Sequence, residues 1–183
     1  MVLVSINRIG LAAILVLMLF PDLFAVSPPE MNKKVQKEVN KLFGADTQFR
    51  EIGLNTDGQS LSSLIREGDR AYALGHSEEL QAYVLSTSAK GRYDYFDYSI
   101  IYAMDLSVMG VLVTTYRSSH GAGICSKGWL KQFKGYRGEE LRLGKDVDSI
   151  SGATISATSM VEDMKRCSLL MVELKASGRL NQD

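Results

Sequence analysis

Hydrophobic residues along the chain recur first at helical spacing, then at every second position, then at helical spacing again. Met31, Val35, Val39 and Leu42 stand three or four apart with Lys and Glu between them, which predicts an amphipathic helix over Met31–Phe43 that Gly44 stops. From about Leu61 the period changes to two. Ser63–Ile65 and Ala71–Leu74 flank Glu67-Gly68-Asp69, a turn-forming triplet, and read as a hairpin. Leu80–Ser86, Tyr95–Met104 and Val108–Tyr116 follow as further strands, separated by Gly91 and by Asp105-Leu106-Ser107. Phe96, Tyr98, Ile100, Tyr102 and Met104 alternate cleanly, so they are expected to share a core face, with Tyr95 on the other side of the strand. Strands in this succession make an antiparallel sheet. The pattern loosens from His120 to Gly135 and becomes helical from near Ser156, where Met160, Met164, Cys167, Met171 and Leu174 form an apolar stripe and Gly178 stands past its end. Helix, strands, helix is the order of an α+β fold in a single domain. That domain has an N-terminal helix, an antiparallel sheet and a long C-terminal helix.

Ahead of this pattern, Ile9–Phe20 is a nearly unbroken apolar run behind Arg8, ending at Pro21 and followed by the small residue Ala25. It reads as a Sec-type signal peptide. A retained membrane anchor is the alternative, because Val2–Ile6 extends the run toward the roughly 20 apolar residues of a span; a buried helix is a third. A signal or an anchor puts the domain in the periplasm or on the extracytoplasmic face of the inner membrane. Ser27-Pro28-Pro29 forms a hinge, so residues 1–25 are assigned to the export segment, 26–30 to a linker and 31–183 to the folded domain. With 183 residues and 45% hydrophobic content the chain can bury one proper core. Lys+Arg and Asp+Glu both number 21 and no basic run occurs, so nothing forms an electrostatic footprint for nucleic acid.

The candidate chemistry is narrow. His76, His120, Cys125 and Cys167 have no metal-ligand, haem or iron–sulfur spacing. A Cys125–Cys167 disulfide is permitted in an exported chain, and Cys167 can equally pack as part of the last helix's stripe. Ser118, Ser119 and His120 come without a nucleophile elbow. The informative stretch is Asp148-Ser149-Ile150-Ser151-Gly152-Ala153-Thr154, followed by Ile155-Ser156. Small residues at Ser151, Gly152 and Ala153 let the backbone approach a bulky anion. The helix that begins immediately afterwards offers unpaired amides and the positive end of its dipole. The plainer alternative is that Ser151 or Thr154 merely caps that helix.

The same stretch closely resembles the flavinylation motif Asp-x-x-[Ser/Thr]-Gly-Ala-Thr of the FMN-binding domain family, which includes subunits of the Na+-translocating NADH:quinone reductase and of the Rnf electron-transport complex. Val108-Met109-Gly110-Val111 resembles the family's strand entering the flavin loop, and Trp129-Leu130-Lys131-Gln132-Phe133-Lys134-Gly135 resembles its block upstream of the motif. The similarity in order and spacing runs from Leu80 to Cys167. Members from the two redox complexes have Glu-Thr-Pro-Gly where this chain has Ser118–Ile124.

The resemblance implies that Thr154 carries FMN through a phosphoester bond, installed by a flavin transferase that uses FAD as donor. Asp148, Ser151, Gly152, Ala153, Ile155 and Ser156 would then form the attachment site. The loop Tyr116–Ile124, with His120 and Gly121 in it, would border the flavin ring, with Lys127 at its pyrimidine edge or the phosphate and Trp129 and Phe133 as its wall. Each of these last residues has an ordinary alternative: His120 simply exposed, Lys127 solvated, Trp129 and Phe133 in the core. The implied activity is electron carriage between membrane-associated donor and acceptor proteins, with a reductase acting directly on a small molecule as the alternative and a non-redox exported binding domain as a weaker one. The lack of a Gly-x-Gly-x-x-Gly loop and the small domain favour the carrier.

Overall fold

The computed structural model describes residues 31–54, 59–76 and 79–181. The export segment and linker expected over residues 1–30 lie outside the described residues. The elements are α1 (Lys33–Phe43), β1 (Gln48–Ile52), α2 (Gln59–Leu64), β2 (Arg70–His76), β3 (Glu79–Lys90), β4 (Tyr95–Ala103), β5 (Val108–Tyr116), a short helix α3 (Lys127–Leu130) and the long helix α4 (Thr154–Ala176). The strands form a five-stranded antiparallel sheet in the order β1-β2-β3-β4-β5. This is the α+β architecture expected from the periodicities.

Each face of the sheet is covered, and alternation along the strands decides which residue goes where. Phe96, Tyr98, Ile100 and Tyr102 point with Tyr83 and Leu85 into the larger core, against Met160, Met164, Cys167, Met171 and Leu174 of α4. Ile101, Val84, Ala82, Tyr72 and Leu74 point the other way and receive Val35 and Val39 of α1, with Met31 from just ahead of it. α1 is capped by the Asn32 side chain, which accepts from the Lys34 amide at 2.9 Å, and Lys34 Nζ donates to the Thr114 carbonyl of β5 at 2.6 Å. Met104 falls just past the end of β4 and is 39% exposed, so the alternating core face closes at Tyr102.

One expectation is overturned. Ser63–Ile65 is not a strand: Ser63 and Leu64 belong to α2, and Ile65 donates to the Leu61 carbonyl at 3.1 Å. Leu61, Leu64 and Ile65 stand at i, i+3 and i+4, a helical spacing, and all three pack against the larger core. The antiparallel partner of β2 is instead Gln48–Ile52. Its Gln48, Arg50 and Glu51 are exposed, as suits a sheet edge, and they obscure the strand in the sequence. Cys125 and Cys167 are both free thiols, the first exposed and the second buried, so the permitted disulfide is not formed.

A buried charged network joins α4 to the turn between α2 and β2. Arg166, with its side chain only 10% exposed, donates to Asp163 Oδ1 at 2.7 Å, to Asp69 Oδ2 at 2.7 Å, to Thr87 Oγ1 at 2.8 Å and to the Leu64 carbonyl at 2.6 Å. Asp163 also accepts from the Tyr98 hydroxyl at 2.8 Å and pairs with Arg66. Burial alone would lower the Arg166 pKa, but its bonds to Asp163 and Asp69 and the neighbouring negative charge keep it above its ordinary value.

Candidate functional site

The motif reaches its position through backbone contacts. Gln132 Oε1 accepts from the Asp148 amide at 2.9 Å, and Trp129 Nε1 donates to the Asp148 carbonyl at 2.8 Å, so the block that begins at α3 grips the motif at its first residue. The chain then turns over Ile150–Ala153, closed by the Ala153 amide on the Ile150 carbonyl at 3.0 Å. Gly152 sits at the third position of this turn with φ +75°, a conformation that glycine adopts without penalty. Gly123 packs on the turn from outside: a Cβ there would stand 2.7 Å from Ile150 Cγ2.

α4 starts directly after this turn. Its N-cap is Ala153, and no side chain accepts from the first-turn amides. The capping role considered for Ser151 or Thr154 is therefore not played by either. Ser151 is exposed at the turn. Thr154, also exposed, lines an open cleft of about 190 Å³ together with Arg92, His120, Gly121, Gly152, Ala153, Ile155 and Ser156. Uncapped amides and the helix dipole favour an anion at this point. Arg92 adds a full positive charge with no carboxylate in ion-pair range among the described residues.

The opposite wall is held by Tyr116 at the end of β5. Its hydroxyl donates to the His120 carbonyl at 2.6 Å and lies 3.0 Å from Ser156 Oγ. A tyrosine hydroxyl has one proton, so the Ser156 hydroxyl is the donor in the second contact. Ser156 is 1% exposed, and Gly121, with φ +86°, passes so close that a Cβ would come within 2.5 Å of Tyr116 Oη and 3.0 Å of Ser156 Oγ. Ser119 Oγ stands 3.0 Å from His120 Nδ1.

Of the residues singled out from sequence, the structure thus gathers Gly152, Ala153, Thr154, Ile155, Ser156, His120 and Gly121 around one cleft. Asp148 supports it through backbone bonds. Lys127 opens α3 on the surface and does not line the cleft. Trp129 is 6% exposed and packs edge-on against the fully buried Phe133 at 5.2 Å, so both are core residues, with Trp129 also clamping the motif. Arg92 was not foreseen, whereas Tyr116 opens the Tyr116–Ile124 loop expected to border the flavin ring. Arg92 follows Gly91 in the β3–β4 turn, with no motif to mark it.

Fold and site together define a class: a five-stranded antiparallel sheet between two helices, with an anion-sized cleft at the start of the second. A solved structure of similar fold is that of NqrC from Shewanella oneidensis. The two align with a TM-score of 0.50 over 76% of this chain and 88% of that one, at 18% sequence identity. At that identity the likeness is one of fold. No family model and no curated protein matches the sequence.

Proposed function

We propose that the chain is an extracytoplasmic electron-transfer flavoprotein bearing FMN as a phosphoester on Thr154. One observation carries this reading. Thr154 completes the flavinylation motif, and it is an exposed residue lining a cleft at a helix N-terminus left without a side-chain cap. An arginine lines the same cleft, so the residues suit a phosphate diester. The Gly152 turn leaves the approach open, since no atom lies within 4 Å of where its Cβ would be. The fold shared with NqrC, of the FMN-binding domain family, supports the same assignment.

A flavin transferase would join Thr154 Oγ1 to the FMN phosphorus of FAD while the pyrophosphate bond breaks and AMP leaves. Linked FMN supplies a ring that takes up one or two electrons, and the tether prevents its loss outside the cell. Ser156, Gly121 and the Tyr116 hydroxyl hold the cleft wall in place, and Arg92 neutralises the phosphate. A cleft of this size leaves little room for a second substrate, which favours a carrier between membrane-associated donor and acceptor proteins over a reductase acting on a small molecule.

The test is the intact mass of the full chain made with and without a flavin transferase. The expected result is an FMN increment only with the transferase, retained on denaturation as in-gel fluorescence and abolished in Thr154→Ala with the fold intact. Covalent flavin persisting in Thr154→Ala would refute the acceptor.

A further inference from the structure

The cleft at Thr154 is open on one side and measures about 190 Å³, whereas sites that engulf a drug-sized ligand run from about 300 Å³ upward. A phosphate fits it, and the tricyclic ring of a Thr154-linked flavin would extend toward its open side. Trp129 and Phe133, the aromatic wall suggested by sequence, are withdrawn into the core.

Another aromatic residue touches two residues of the cleft lining. Tyr93, next to Arg92 in the β3–β4 turn, is 67% exposed, yet two cleft residues hold it. The His120 ring meets it edge-on at 5.9 Å, and the Arg92 guanidinium lies 5.2 Å from its ring centroid. A large exposed aromatic held by neighbours on two sides gives a planar surface at low ordering cost. Ile155, another lining residue, adds an apolar side chain that is 52% exposed.

We propose that Tyr93, braced by Arg92 and His120, is the surface on which the isoalloxazine ring of the Thr154-linked flavin rests, with Ile155 as a second contact. This rests on the reading of Thr154 as the attachment residue. The contact has a spectroscopic signature. A phenol against a photoexcited flavin gives it an electron and takes it back, which quenches emission without net oxidation.

The experiment co-expresses the full chain with a flavin transferase as wild type, Tyr93→Leu, Tyr93→Phe and Tyr95→Leu. It measures intact mass, emission per bound flavin and quenching by iodide. Tyr95 is the control, 54% exposed at the start of β4 and outside the cleft lining. Tyr93→Leu is expected to carry FMN, to emit several-fold more strongly and to admit iodide more readily. Tyr93→Phe should be brighter with iodide access as in wild type, because the surface stays while the electron donor goes; Tyr95→Leu should match wild type. Wild-type emission in flavin-loaded Tyr93→Phe overturns the proposal, even if Tyr93→Leu fails to fold or load. Absence of FMN mass from wild type made with the transferase overturns the attachment reading itself.

Discussion

Two glycines of the site separate backbone strain from packing. Gly121 and Gly152 hold φ of +86° and +75°, where an alanine costs about 1–2 kcal/mol. At Gly152 a new Cβ meets nothing within 4 Å, so strain is the whole effect. At Gly121 it would come within 2.5 Å of Tyr116 Oη and 3.0 Å of Ser156 Oγ. Side-chain atoms can often yield, but these are committed: the Tyr116 hydroxyl donates to the His120 carbonyl at 2.6 Å and accepts from Ser156 at 3.0 Å. Displacing it forfeits two hydrogen bonds worth about 0.5–1.5 kcal/mol each. Gly121→Ala should therefore lose about 2–5 kcal/mol, against about 1–2 kcal/mol for Gly152→Ala. In urea unfolding of the flavin-free chain, with a slope of about 2 kcal/mol/M, the first midpoint should fall by roughly 1–2.5 M and the second by roughly 0.5–1 M. Equal midpoints for the two variants would refute the reasoning, since they would mean that Tyr116 gives way at no cost.

The buried network makes a separate prediction. Asp163→Ala leaves Arg166 buried with Asp69 as its remaining carboxylate and should cost about 3 kcal/mol, the lower end for breaking a buried pair. Tyr98→Phe, which removes one donor to Asp163, should cost about 1 kcal/mol. Urea titration measures both, and a loss below about 1 kcal/mol in Asp163→Ala would remove the network from the account of stability. The thiols give a chemical check. Burial first, and then the charge of Asp163, push the Cys167 pKa up to about 12, so its thiolate is scarce at mildly alkaline pH and its sulfur is shielded as well. A thiol reagent should therefore label Cys125 alone in the native chain, more slowly than a free thiol because partial burial of its sulfur raises that pKa too, and label Cys167 only after unfolding. Rapid native labelling of Cys167, or a mass two hydrogens short, would contradict the packing described.

The sequence by itself determined the elements whose periods are long and unbroken. β4 and β5 appear within a residue of the expected bounds, and the stripe from Met160 to Leu174 is wholly buried on α4. Alternation and helical spacing are properties of the local backbone, so several repeats in a row suffice to reveal them. β1 and α2 were missed because each is short, and in β1 exposed polar residues interrupt the pattern. The motif was legible because its residues are contiguous and the chain builds its turn locally, with Gly152 at the position that needs positive φ.

What only the tertiary structure decided is what surrounds Thr154. Arg92 and Tyr93 come from the β3–β4 turn and Tyr116 from the end of β5, far from the motif in the chain, and sheet pairing with the packing of α4 brings them together. The same packing moved Trp129 from candidate flavin wall to core and left Lys127 outside the cleft. A helix N-terminus can be recognised from a few neighbouring residues. Which charges and rings face it depends on contacts between distant segments, and their spacing along the sequence carries no period from which to read them.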